Sequence, residues 1–255
     1  MNRFFALFAL LLLALGPPAG AAPAPGPAPL TIAAAADLKY VLDSLVTIFH
    51  RQHPGAKVSV VYGSSGRFYE QLSHGAPFDL FFSADADYPT RLQQAGLTVG
   101  APRPYALGRL VLWSKKLDPN KLGMKTLLDP QVRRIALANP AHAPYGRKAE
   151  EVLRHYRLYG QVQPRLVLGE NIAQAAQYAA TGAADVGLLA YSLALSPELR
   201  RAGRFYLIPA AAHQPLQQSY VLLKQAQGNA TAAAFAAFVA SPVARQALKK
   251  YGFSF

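Results

Sequence analysis

Short apolar runs alternate along this chain with stretches in which apolar residues return every three or four positions. LTIAAA, residues 30–35, reads as a buried strand. Beyond Asp37, the residues Leu38, Val41, Leu42, Leu45, Ile48 and Phe49 share one face of a helix, and Pro54-Gly55 ends it. KVSVVY (57–62) predicts a second strand, RFYEQLSHG (67–75) a helix, FDLFFSAD (78–85) a third strand and YPTRLQQAG (88–96) a short helix. Strict alternation of this kind predicts a parallel sheet with crossover helices.

A second block begins near Tyr105. ALGRLVLWS (106–114) reads as a strand, KTLLDPQVRR (125–134) as helical and RIALAN (134–139) as a strand. A helix is expected over APYGRKAEEVLRHYRLY (143–159), a strand over RLVLGE (165–170), a helix over NIAQAAQYAATG (171–182) and a strand over ADVGLLAYS (184–192). RFYLIP (204–209) and QSYVLLK (218–224) are the last predicted strands, and residues 230–252 form a closing helical stretch. The pattern predicts two α/β units of similar size, with no Gly- or Ser-rich linker between them and no internal repeat.

The first residues change the picture of where the protein works. MNRFFALFALLLLALGPPAGA has one early arginine, a short apolar run, helix breakers and a small-x-small site, which is the build of a secretory signal peptide over residues 1–21. Residues 22–29, APAPGPAP, then form a Pro-rich leader. The apolar run is too short for a membrane anchor. With no cysteine in the chain there is no lipid attachment point, no disulfide and no thiolate chemistry. The protein is expected in the periplasm, free of lipid.

The net charge of +13, from 26 Lys+Arg against 13 Asp+Glu, would ordinarily raise the question of nucleic acid. Export and the scatter of the basic residues argue against it. A positive field does speed the capture of small anions.

Anion capture is also what the strand-to-helix junctions suggest. Four of them, AAAADL (33–38), YGSSG (62–66), HAPYG (142–146) and GENIAQA (169–175), place small or polar residues where the first amides of a helix point outward. Such amides sit at the positive end of the helix dipole and hold anions. Alone, GSSG reads more simply as a helix cap. Two donor-rich junctions from each half of a two-lobed protein form a more specific arrangement, because ligands of open α/β sheets lie at the carboxyl ends of the strands.

GSSGRFYEQLSHGAPFDLFFSAD (63–85), YALGRLVLWS (105–114), ANPAHAPYG (138–146) and TGAADVGLLA (181–190), in this order and spacing, resemble the periplasmic molybdate-binding proteins of ABC transporters. The likeness runs from Leu30 to the end, and HGAPFDLFFSAD carries most of it. It implies a two-lobed type II periplasmic-binding-protein fold, each lobe a mostly parallel sheet flanked by helices. Lobe 1 would comprise residues 30–106 and 212–255, and lobe 2 residues 107–211. It also implies capture of molybdate or tungstate between the lobes and delivery to an ABC permease. A monomer without cofactor or enzymatic activity is expected, with molybdenum present only inside the oxyanion and never bonded to protein.

Carried over position by position, the resemblance puts Ala36 and Asp37 at the anion from the first junction and Ser65, with Ser64 beside it, from the second. Tyr145 from the third and Ile172 from the fourth would donate through backbone N–H. The chain departs from the family pattern twice. Asp37 stands where many members have a serine or asparagine donor, and Ala190, followed by Tyr191, stands where some have a ligand-contacting tyrosine.

Asp37 is the more consequential departure, since a carboxylate aimed at an unprotonated dianion repels it. Before LKYVLDSL it is expected to turn back and cap its own helix, offering only its amide to the ligand. Turned inward, it would suit an oxyanion that keeps a proton, such as phosphate. With Arg67, expected along the helix surface, it could instead clasp an amino acid. A hydrolase using Ser64 or Ser65 needs a base, and the histidines show no triad pattern; His142, near the third junction, is expected to be exposed or capping.

Overall fold

The structure, a computed structural model, describes residues 27–255. The predicted signal peptide and the start of the Pro-rich leader lie outside the described residues. Among the described residues ten strands form two five-stranded sheets with the same plan. The first contains β1 (Leu30–Ala35), β2 (Val58–Gly63), β3 (Leu80–Ser83), β4 (Thr98–Gly108) and β10 (Leu216–Leu223), in the order β2-β1-β3-β10-β4. The second contains β5 (Leu110–Ser114), β6 (Ile135–Ala138), β7 (Leu166–Gly169), β8 (Val186–Ala190) and β9 (Arg204–Leu207), in the order β7-β6-β8-β5-β9. In each sheet a single strand, β10 or β5, runs against its neighbours, and the other pairings are parallel.

The first lobe carries α1 (Lys39–Gln52), α2 (Ser65–Ser73) and α3 (Asp87–Gln94). The second carries α4 (Pro119–Leu122), α5 (Pro144–His155), α6 (Tyr159–Val162), α7 (Ile172–Thr181), α8 (Tyr191–Ala194) and α9 (Pro197–Ala202). The chain then returns to the first lobe as β10, α10 (Ala230–Val239) and α11 (Pro242–Lys250). It therefore crosses between sheets twice, at Arg109 and over residues 208–215. Alternation along the first sheet's strands separates its two faces. Ile32, Ala34, Leu80 and Phe82 pack under α1, α10 and α11, whereas Ala33, Phe81 and Val221 pack with Phe68, Leu72 and Leu92 of α2 and α3. In the second lobe Trp113 is fully buried, and its indole N–H donates to the Leu199 carbonyl at 3.1 Å.

Three expectations needed correction. ALGRLVLWS is not one strand: β4 and β5 belong to different sheets and part at Arg109. β4 starts as early as Thr98, concealed in the sequence by Pro102 and Pro104, which are tolerated because it is an edge strand. KTLLDPQVRR forms no α-helix; a 3-10 stretch, Gly123–Leu128, stops at Asp129, whose extended ψ of 133° is what a following proline favours. The closing helical stretch is two helices, because Ser241 caps α11 and Pro242 begins it.

Candidate functional site

All four junctions stand at the carboxyl ends of parallel strands: β1 and β2 in the first sheet, β6 and β7 in the second. The two sheets turn these ends toward each other. Ala36, Asp37, Ser64, Ser65, Tyr145 and Ile172 all line one small cavity, together with Gly63, Ala84, Ala143 and Asn171. The six are buried, none more than 5% exposed. Ser65 and Ile172 open α2 and α7, Tyr145 is the second residue of α5, and Asp37 is central in the 3-10 turn Ala36–Leu38. Amides at such positions have no acceptor within their own helix. Four helix starts therefore aim N–H groups at one small space.

The capping at each start decides which amides are left for a ligand. At α7 the Asn171 Oδ1 accepts from the amides of Ala173 and Gln174, both at 3.0 Å, and leaves that of Ile172. At α2 the Ser64 hydroxyl does not cap its helix; it donates to the His142 carbonyl across the cleft at 2.8 Å. Ser65 Oγ accepts from the Ala84 amide at 3.0 Å. With that lone pair occupied, the Ser65 hydroxyl proton is free to donate to a ligand.

Asp37 does not cap. It lies inside the 3-10 turn, and its side chain reaches toward the other lobe. Its Oδ2 accepts from the Gln218 side-chain amide at 2.7 Å and from the Tyr145 hydroxyl at 3.0 Å, while Oδ1 is buried with no partner among the described residues. Burial pushes the Asp37 carboxyl up to about 7, against the lowering effect of these two hydrogen bonds. The Tyr105 hydroxyl donates to Gln218 Oε1 and orients it, so the network extends through β4 and β10.

His142 also departs from expectation: it is 6% exposed. Its Nδ1 lies 2.9 Å from Ser64 Oγ and its Nε2 lies 3.5 Å from Glu170 Oε2. Serine, histidine and acid thus stand in line. The Ser64 hydroxyl stands 2.8 Å from the His142 carbonyl, an acceptor that competes with Nδ1 for its one proton. Arg67 lies along the surface as expected, held by Glu70 at 3.2 Å and by Glu170 at 2.8 Å. It does not line the cavity with Asp37. Neither Ala190 nor Tyr191 does so either; the Tyr191 ring packs edge-on against Phe205 at 5.5 Å.

Cross-lobe contacts seal the cavity. The Gly66 amide donates to the His142 carbonyl at 2.9 Å, Arg147 pairs with Asp85 at 2.6 Å, and the Ser192 hydroxyl donates to the Asp37 carbonyl at 2.8 Å. Gln218, Gly66 and Arg147 carried no sequence signal beyond a polar residue opening an apolar strand, a glycine in a turn and a charge on a helix. Their roles depend on what the other lobe brings.

A family model described as bacterial extracellular solute-binding protein matches residues 30–254. A molybdate-binding protein from Rhodobacter capsulatus is 39% identical over 201 residues, 78% of each chain. One from Azotobacter vinelandii is 34% identical over 223 residues, covering 87% of this chain and 88% of the relative. The solved periplasmic molybdate-binding protein of Azotobacter vinelandii superimposes with a TM-score of 0.83 at 33% identity, covering 89% of this chain and 99% of that one. A sulfate-binding protein from Mycobacterium tuberculosis, at 16% identity and a TM-score of 0.73, shares the fold.

Proposed function

We infer that this chain, which belongs to the family of bacterial extracellular solute-binding proteins, captures molybdate or tungstate in its interlobe cavity and hands it to the membrane permease of an ABC transporter. The observation that carries this reading is the convergence of four helix starts on one buried cavity, two from each lobe. The names of the relatives at 39% and 34% identity supply the ligand. The protein works in the periplasm as a monomer without cofactor and is no hydrolase, in keeping with the His142 carbonyl that draws on the Ser64 hydroxyl. Lobe boundaries near residues 106/107 and 211/212 lie close to the two crossings between sheets.

The amides of Asp37, Ser65, Tyr145 and Ile172 and the Ser65 hydroxyl surround the anion, and closure strips its water. Neutral donors in a dry cavity bind charge more strongly than they would in water. Molybdate and tungstate are nearly the same size and present the same four acceptor oxygens, so one cavity takes both, and the smaller sulfate is selected against by fit.

Calorimetric titration of the mature, ligand-stripped protein with molybdate, tungstate, sulfate and phosphate tests the reading. Tight binding of the first two, with sulfate and phosphate silent, is expected; silence toward molybdate and tungstate would end it. Ser65→Ala is expected to weaken molybdate binding tenfold or more, since a hydrogen bond to a charged group contributes about 1.5–3 kcal/mol. The substitution also strands the Ala84 amide, so the variant should melt at a slightly lower temperature. An unchanged affinity would remove Ser65 from the site.

A further inference from the structure

We propose that Asp37 enters the closed site as a carboxylic acid and donates its proton from Oδ1 to the bound oxyanion, so that each dianion captured takes one proton from solution. This deepens the anion-capture reading and rests on it. The Asp37 Oδ2 is fully engaged by Gln218 at 2.7 Å and Tyr145 at 3.0 Å, both of which donate. Its Oδ1 is buried in the cavity wall without a partner, although a buried polar oxygen ordinarily has one. A carboxylate in the wall of a dry cavity that takes up a dianion is repelled by it, and that repulsion is large. A hydroxyl in the same place supplies one more donor. The chemistry balances simply: Asp37 carboxylate, one solvent proton and a dianion give a neutral carboxyl hydrogen-bonded to the dianion.

The groups around Asp37 do not neutralise it by other means. From α5 comes Tyr145 and from β4 Tyr105, both held protonated by burial, and from β10 comes the neutral Gln218. Lys39, on the following turn, pairs with Asp43 at 3.6 Å at the surface. Asp85 is paired with Arg147, and His142 meets the far wall through Ser64. Among the described residues no cation pairs with the carboxyl, and burial, against the lowering effect of its two hydrogen bonds, brings it up to about 7 before any anion arrives. A captured dianion raises it further.

The sign follows from linkage. The closed, loaded state holds a proton that the open state releases, so affinity is full below the carboxyl's open-state pKa and declines as pH rises, approaching tenfold per pH unit. Asn at this position keeps the shape, can accept from Gln218 and Tyr145, and presents a permanent N–H donor where Oδ1 stands.

The test titrates molybdate into the whole mature protein between pH 6 and 9, in pairs of buffers of different ionisation enthalpy that count protons. The wild type should take up close to one proton per molybdate at the alkaline end, with affinity falling as pH rises. Asp37→Asn should bind molybdate with no proton uptake and a flat profile, and should exceed the wild type at pH 9. Molybdate binding by the wild type without proton uptake overturns the proposal and leaves the anion reading intact. No molybdate binding at any pH overturns both. Phosphate binding in its place, with no proton taken up, makes Asp37 an acceptor from a protonated anion and overturns both.

Discussion

Gly66→Ala is expected to weaken molybdate binding about 100-fold, a loss of roughly 3 kcal/mol, without lowering the stability of the ligand-free protein. A Cβ on Gly66 would stand 2.5 Å from the His142 carbonyl oxygen and 2.8 Å from its Cβ, both on the opposite lobe. The carbonyl is backbone and cannot swing aside. The same contact is where the Gly66 amide donates to His142, so the obstruction and the loss of that bond coincide. In the open protein the new methyl meets only the Tyr88 hydroxyl of its own lobe, 2.6 Å away at the end of a side chain that can turn aside, and alanine is the better helix residue at the start of α2. The expected signature is therefore a selective one: weak binding in calorimetry, an open shape by small-angle scattering with molybdate present, and an unchanged or higher Tm without it. Wild-type affinity in this variant would show that closure does not bring Gly66 and His142 together.

Gly146→Ala should act differently, although it too lies beside the cavity. Here the added Cβ would stand 2.1 Å from the Ala138 carbonyl oxygen and 2.8 Å from the Pro140 nitrogen, all within the second lobe. The first turn of α5 lies directly on the end of β6, and only the lack of a side chain permits it. The collision exists whether the lobes are open or closed. A destabilisation of about 3 kcal/mol is expected, lowering Tm by roughly 6–12 °C. Because Tyr145 is the preceding residue, its amide is displaced and anion binding falls as well. A variant that melts like the wild type would mean that α5 and β6 are not so closely apposed. Together the two glycines separate closure from lobe integrity, one through affinity alone and the other through both affinity and melting.

Much of this was legible in the chain. The apolar runs LTIAAA and LFFS and the helical spacing from Leu38 to Phe49 express near-neighbour physics, and the strands and helices appear where those patterns place them. Proline concealed the start of β4 and exaggerated the helix over KTLLDPQVRR, because what a proline permits depends on whether its strand has one neighbour or two. The four donor-rich junctions were visible because a helix start is a local feature. Which amides remain free was not, since that depends on whether a capping side chain turns back, as Asn171 does, or reaches across, as Ser64 does.

Asp37 and His142 mark the boundary. Sequence alone made Asp37 a helix cap and His142 an exposed or capping residue, the ordinary outcome when a side chain has only its own turn to bond with. Folding supplied other partners: Tyr145, 108 positions along, and Gln218, 181 positions along, for Asp37, and Ser64, 78 positions back, for His142. By itself the sequence determined the elements, the family and the four donor-rich junctions, because each is written in residues a few positions apart. Only the tertiary structure decided the charge environment of Asp37 and the contacts that seal the cleft, because both arise where two lobes meet and no local pattern encodes what the other lobe will bring.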